Sequence, residues 1–146
     1  MRSDWEVAQA WLRKAESDLA AAEVCLAAGK ALDTACFHSQ QVAEKALKAW
    51  LIARKITFPL VHDLKRLLDL CARHEPDFRT MEALGLSLNP FAVEMRYDDE
   101  FWPTADEVKE ALQAARDIQA FVLAHFPAKP DLSASQAPGP NEGSRQ

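Results

Sequence analysis

The segment from Cys36 to Trp50 constrains the fold more than any other stretch, because at helical spacing its polar residues fall on two sides. One side carries a basic, hydrogen-bonding stripe of His38, Gln41, Lys45 and Lys48. Gln40 and Glu44 lie one turn apart on the apolar side. Since an unpaired buried amide or carboxylate is costly, we expect Gln40 and Glu44 to form a structural polar network within a helical core.

Capping signals mark the first and last helices. Ser3 and Glu6 have the spacing of a capping box, and Gly29 is a natural helix stop. Thr104 and Glu107 repeat the capping-box pattern before an apolar stripe that continues to residue 126. Between them the periodicity predicts helices over 32–53, 61–72 and 77–94, the last interrupted by Asn89-Pro90.

These patterns predict an all-α, antiparallel up-and-down bundle of four principal helices plus a short helix. We assign residues 1–126 to this bundle. Residues 127–146 are rich in Pro, Gly and Ser and have few large apolar side chains, so we expect a disordered tail.

Charge and cysteine content limit the class of protein. The net charge is −5, yet residues 30–75 carry eight Lys or Arg and five Asp or Glu, so positive charge is local. A general nucleic-acid coat would be basic overall. No apolar run approaches the roughly 20 residues that span a bilayer. With no secretory leader pattern and three scattered cysteines, we expect a cytoplasmic protein without membrane contact.

Familiar catalytic motifs are missing. His38, His62, His74 and His125 show no HExxH spacing and no CxxC occurs, so we expect no metal. Neither glycine-rich phosphate-binding motif is present, and we expect no cofactor. Cys36 beside His38 is compatible with an activated thiol, although a buried cysteine is the more ordinary role.

Two further positions are candidates for anion binding. His62 and Asp63 stand at a loop-to-helix junction, where backbone N–H groups favour anions, although simple capping is the alternative. Arg96 and Tyr97 end an apolar segment, and arginine suits bidentate contact with phosphate. An ion pair between Arg96 and the neighbouring aspartates remains open. The stripe on the second helix likewise has the alternative of a solvated face.

Four of these pieces together resemble a known family. Ala15-Glu-Ser-Asp-Leu19, Phe37-His-Ser-Gln-Gln-Val-Ala-Glu-Lys-Ala-Leu-Lys48, Val61-His-Asp-Leu64 and Arg96-Tyr97 occur in the order of a prokaryotic HEPN domain. The resemblance implies a helical bundle that dimerises and that binds nucleotide or RNA. It also implies a minimal nucleotidyltransferase partner in a toxin–antitoxin-type pair.

The chain departs from the ribonuclease members of that family. Their motif is an arginine and a histidine separated by four to six residues, whereas Tyr-Asp-Asp-Glu-Phe-Trp-Pro follows Arg96. The leading hypothesis is therefore a non-catalytic module that binds a nucleotide, RNA or nucleotidyltransferase through His38, Gln41, Lys45, Lys48, His62, Arg96 and Tyr97. One alternative is a ribonuclease toxin that uses Arg96 and a non-standard histidine. A second is a structural dimer in which the basic stripe meets Asp98, Asp99 and Glu100 of another copy.

Overall fold

Five α-helices dominate the computed structural model, which describes residues 1–93 and 95–131, with the backbone alone at Arg96. They are α1 Asp4–Ala28, α2 Leu32–Ala53, α3 Leu64–His74, α4 Glu82–Leu88 and α5 Ala105–Ala124. Short 3₁₀ segments occur at Pro76–Met81, Asn89–Phe91 and Met95–Tyr97. The described ranges contain no strand, and the predicted all-α bundle is confirmed.

Both predicted capping boxes are present. The Ser3 hydroxyl accepts from the Glu6 amide at 3.2 Å, and the Glu6 carboxylate accepts from the Ser3 amide at 2.9 Å. Thr104 and Glu107 make the same reciprocal bonds at the start of α5. Gly29 ends α1 with φ at +66°, a backbone conformation that glycine adopts without steric cost. Local sequence thus determines where α1 begins and ends and where α5 begins.

Helices α1 and α2 pack antiparallel, because only residues 29–31 connect them. Lys55, just beyond α2, reaches Asp4 at the start of α1 with an Nζ–Oδ2 distance of 2.9 Å. Helix α5 also packs on α2, and the Trp50 indole donates to the His125 carbonyl at 2.9 Å. Trp50 is fully buried and meets Phe78 edge to face. Helix α2 is therefore the central helix.

Helix α3 begins three residues later than the sequence pattern predicted, at Leu64 rather than Val61. Asp63 is the N-cap, and its carboxylate accepts from the amides of Lys65 and Arg66. The Val61 amide bonds instead to the Pro59 carbonyl in a turn. This turn after Pro59 delays the helix and leaves His62 in the loop before it.

The helical segment predicted over 77–94, with an interruption at Asn89-Pro90, is wrong in its extent. Only Glu82–Leu88 is α-helical, and 3₁₀ segments flank it. Pro90 lacks the amide that would continue the helix. The Asn89 side chain bonds to the start of α3, accepting from the Leu64 amide and donating to Asp63, each at 2.8 Å. The short helix of the bundle is thus α4; Glu94 lies outside the described residues.

The proposed tail begins at Pro127, and its residues 132–146 lie outside the described part of the chain. Among the residues that are described, none of the helices combines the length and apolarity needed to cross a bilayer.

Candidate ligand-binding surface on α2

The Glu44 carboxylate is the centre of a buried polar network on α2. Its side chain is 4% exposed and receives Lys48 Nζ at 2.9 Å. It also accepts from Gln40 Nε2 at 3.1 Å and meets His62 Nδ1 at 3.0 Å. Burial by itself raises the pKa of Glu44, but the hydrogen bonds from Lys48, Gln40 and His62 outweigh it. The net pKa is therefore lowered, and Glu44 is an anion at neutral pH.

Gln40 ties this network to the loop before α3. Its side chain is fully buried, and its Nε2 also donates to the His62 carbonyl at 3.1 Å. Gln41 Nε2 donates to Gln40 Oε1 at 2.7 Å. The amide and carboxylate on the apolar side of α2 are thus satisfied by partners, as burial requires. The same contacts fix the position of His62.

A second carboxylate, Asp18 on α1, holds the other end of the stripe. Asp18 is 7% exposed overall, and its two oxygens have different partners. Oδ1 lies 2.8 Å from His38 Nδ1, and Oδ2 accepts from Lys45 Nζ at 2.6 Å. Asp18 therefore links α1 to two positions of the α2 stripe, His38 and Lys45.

The structure differs from the expected open basic stripe. Lys48 is only 6% exposed and is paired with Glu44, while Lys45 is paired with Asp18. Lys48 is paired within α2, by Glu44 one turn earlier, whereas Lys45 is paired because α1 approaches and supplies Asp18. What remains accessible is a surface of paired charges, in which the His38 side chain is 27% exposed and that of His62 is 62% exposed.

Both histidines are oriented through Nδ1, since each has a carboxylate at that nitrogen. The arrangement leaves Nε2 of each ring available to a ligand. However, the two rings are held by different carboxylates, and no hydrogen bond joins them within the described residues. His38 lies on α2, and His62 is held by Glu44 of the same helix; His38 and Glu44 are about 9 Å apart along the helix axis. The structure therefore holds the two histidine rings at separate carboxylates, Asp18 and Glu44.

A shallow cleft lies beside His62. It is lined by His62, Asp63, Asn89, Ala92 and Val93 and has a volume of about 250 Å³. The 3₁₀ segment that contains Arg96 follows shortly after it, but the Arg96 side chain is outside the described part of the structure. Tyr97 is 76% exposed. Convergence of Arg96 with the histidines stays a hypothesis.

Sequence reasoning missed Asp18 and Trp11 as members of this surface. Trp11, Lys14 and Asp18 recur at spacings of three and four, so they form one stripe of α1. That stripe faces α2: Lys48 Nζ lies 6.0 Å from the centre of the Trp11 ring, and Asp18 binds Lys45. The sequence shows this spacing, but it does not show which helix packs against the stripe, and the partners of Trp11 and Asp18 depend on that packing.

Cys36 does not form an activated pair with His38, whose Nδ1 is directed to Asp18. Cys36 is fully buried, and this burial raises its pKa to about 12, so the thiol stays protonated. In residues 1–93 and 95–131, no group of three or more His, Cys, Asp or Glu side chains is arranged to hold a metal ion.

The fold and surface define a class of protein: an all-helical bundle whose central helix carries a carboxylate-anchored polar face. The HEPN domain family model matches residues 8–125, and the chain belongs to the HEPN domain family. This confirms the resemblance carried by the four sequence pieces.

Two solved structures are similar to this chain. The archaeal HEPN homologue ST0689 is 25% identical, with a TM-score of 0.67 over 87% of this chain and 100% of the homologue. TT1696 from Thermus thermophilus is 31% identical, with a TM-score of 0.67 over 80% of this chain and 96% of that protein. A comparison with curated proteins found no significant match.

Proposed function

We propose that this HEPN domain is a non-catalytic module that binds the phosphate of a nucleotide or RNA through His38, Gln41, Lys45, Lys48 and His62, with Arg96 and Tyr97 at its edge. In this proposal it works in the cytoplasm as a homodimer, together with a minimal nucleotidyltransferase, as one half of a toxin–antitoxin-type pair. The observation that carries the proposal is the pair of buried carboxylates that orient these side chains.

Pre-orientation favours ligand binding because it removes much of the entropy cost of ordering the side chains. Asp18 occupies one direction around the Lys45 ammonium, and an ammonium has three N–H donors. Remaining donors can therefore contact a phosphate oxygen. A protonated histidine oriented through Nδ1 can donate from Nε2. The Lys45 side chain is 22% exposed, so it is accessible to such a ligand.

The sequence after Arg96 supports binding without cleavage. Phe101, Trp102 and Pro103 occupy the positions at which ribonuclease members carry histidine. Cleavage of RNA without a metal needs an acid or base beside the reacting phosphate, a role that histidine suits near neutral pH. The structural-dimer alternative would require Lys45 and Lys48 to contact carboxylates of another copy in addition to Asp18 and Glu44 of their own chain.

A ribonuclease remains a second candidate because of one contact. His62 Nδ1 meets the Glu44 carboxylate, and a histidine oriented in this way can act as a general base through Nε2. In that alternative Arg96 would clamp the phosphate. Incubation of purified protein with RNA separates the two candidates: cleavage that Arg96→Ala and His62→Ala abolish supports the ribonuclease, and intact RNA after long incubation excludes it.

Isothermal titration with nucleotides and short RNA tests the binding proposal. We expect Lys45→Gln to weaken binding roughly tenfold, because it removes a cation at the phosphate. Lys109→Gln is the matched control, since that lysine is 65% exposed on α5. Co-purification with a nucleotidyltransferase encoded beside the chain tests the partner. Absence of binding in both assays contradicts the proposal.

A further inference from the structure

A cleft where α1 meets α2 continues the surface described above. It is lined by Arg2, Ala10, Trp11, Lys14 and Lys45 and has a volume of about 440 Å³. This size lies within the range of about 300–1,000 Å³ that is usual for small-ligand sites. The cleft combines one large aromatic ring with three cationic side chains.

The cations of this cleft are available to an anion. Arg2 and Lys14 are exposed. Lys14 forms no ion pair with the residues that the structure describes, and Arg2 interacts electrostatically with Glu6. Lys45 is held by Asp18, which positions it at the rim. A cleft with this charge repels metal ions and attracts phosphate.

The aromatic wall gives the cleft a second kind of contact. Trp11 is half-buried and packs against the core, but its ring also lines the cleft. Stacking of a nucleobase on an aromatic ring is sequence-tolerant because every base has a π-face. A simple inorganic anion would use the cations and leave the ring unused.

We propose that this cleft binds a nucleoside phosphate, with the base against Trp11 and the phosphate on Lys14 and Lys45. The inference rests on the proposed function and adds the base-stacking residue and the second cation. The same chemistry comes from a free nucleotide or from the phosphorylated 5′ end of RNA, and the two sources are distinguished below.

The probes separate the two halves of the ligand. Adenosine monophosphate is compared with adenosine, which lacks the phosphate, and with ribose 5-phosphate, which lacks the base. Isothermal titration measures the affinity of each probe. We expect adenosine monophosphate to bind measurably, and adenosine and ribose 5-phosphate to bind at least about tenfold more weakly. A short oligoadenylate with and without a 5′ phosphate tests the RNA source. Tighter binding of the phosphorylated RNA than of adenosine monophosphate assigns the cleft to RNA ends, and the reverse order assigns it to free nucleotides.

Two variants test the residues. Trp11→Leu removes the ring and is expected to weaken nucleotide binding about tenfold while leaving ribose 5-phosphate binding unchanged. Lys14→Gln removes an exposed cation and is expected to weaken nucleotide and ribose 5-phosphate alike by roughly threefold to tenfold. Since Lys14 is exposed, this variant remains informative if Trp11→Leu fails to fold.

Matched controls exist for both changes. Arg13→Gln removes the exposed cation beside Lys14 that does not line the cleft, and Trp102→Leu removes a tryptophan that is 74% exposed elsewhere. Neither is expected to alter binding. If Trp11→Leu and Lys14→Gln leave nucleotide affinity unchanged while Lys45→Gln lowers it, this inference is overturned and the proposed function stands. Absence of binding for every probe overturns both.

Discussion

The Lys48 ammonium lies 2.9 Å from Glu44 Oε2, and the two side chains are only 7% and 4% exposed. A buried ion pair loses hydration on both sides, so the attraction between its members mainly offsets that loss. Removal of one member leaves the other charged and buried without its partner. The pair therefore makes the stability of the bundle depend on residues that also belong to the proposed ligand surface.

The first prediction concerns this pair. Glu44→Ala removes the partner of Lys48, Gln40 and His62 together, and we expect it to lower the free energy of unfolding by roughly 3–5 kcal/mol. Urea denaturation followed by circular dichroism measures the change. Glu110→Ala, at an exposed position on α5, is the control and is expected to stay within about 0.5 kcal/mol of the parent protein.

A double variant makes the cause specific. Glu44→Leu with Lys48→Met replaces both charges by apolar groups, so it is expected to be more stable than Glu44→Leu alone. Equal stability of the double and single variants would show that the unpaired lysine is not the origin of the loss.

The second prediction is a loss of stability in acid. The pKa of Glu44 is lowered: burial opposes this shift, and the contacts with Lys48, Gln40 and His62 outweigh burial. A lowered folded-state pKa contributes stability above the unfolded value of 4.5, and that contribution is lost as pH falls through the folded pKa. We expect the urea concentration at the midpoint of unfolding to decrease as the pH is lowered below 4.5. The decrease should be shallower in Glu44→Gln. Asp63 and Asp69 also have lowered pKa values, but they titrate in both proteins.

The third prediction concerns the contact between Asn89 and the start of α3. The Asn89 amide donates to Asp63, and this bond is the main cause that lowers the pKa of Asp63. Asn89→Asp places a second carboxylate beside it, and we expect a destabilisation of about 1–2 kcal/mol at pH 7. The double variant Asn89→Asp with Asp63→Asn should recover part of the lost stability, as measured by its urea midpoint. No recovery would argue against charge repulsion as the cause.

The fourth prediction concerns the packing of α4 on α3. A Cβ at Gly85 would lie 2.5 Å from Leu68 Cδ1, and Leu68 is almost wholly buried. We expect Gly85→Ala to destabilise the protein by roughly 1 kcal/mol, since overpacking outweighs the gain in helix propensity. Thermal denaturation of Gly85→Ala with Leu68→Val should show a smaller loss than the sum of the single changes. Strict additivity would contradict a direct clash.

The fifth prediction concerns thiol reactivity. Burial raises the pKa values of Cys36 and Cys71 to about 12, whereas Cys25 is partly exposed. We expect one fast-reacting thiol in the native protein at pH 8, assigned to Cys25 by its loss in Cys25→Ser. All three thiols should react after unfolding in urea. Fast reaction of two thiols in the native state would contradict the buried positions.

The sequence was sufficient where structure is determined locally. Ser3, Gly29 and Thr104 act through neighbours one turn away, so their roles follow from spacing alone. Helix α2 likewise begins and ends where its apolar period and flanking residues indicate. The family resemblance also depended on local pieces, and the family match confirms it.

Prediction from the sequence failed where a structural feature depends on residues that are distant in the chain. The end of α4 depends on Asn89, whose side chain bonds to Leu64 and Asp63 across 25 and 26 positions of sequence. The pairing of His38 and Lys45 depends on Asp18, which lies 20 positions before His38. Helical spacing describes one helix at a time, so it gives no partner for a side chain directed toward another helix.

The first and last described segments meet at one pole of the bundle. Lys129 Nζ lies 5.3 Å from the Trp5 ring, and Met1, Arg2, Lys129 and Pro130 line the same depression. Arg2 also lines the Trp11 cleft. An affinity tag or fusion partner attached to Met1 would therefore lie next to that cleft. Immobilisation through a surface position on α5 leaves the cleft unobstructed and is the better geometry for sensor-chip measurements.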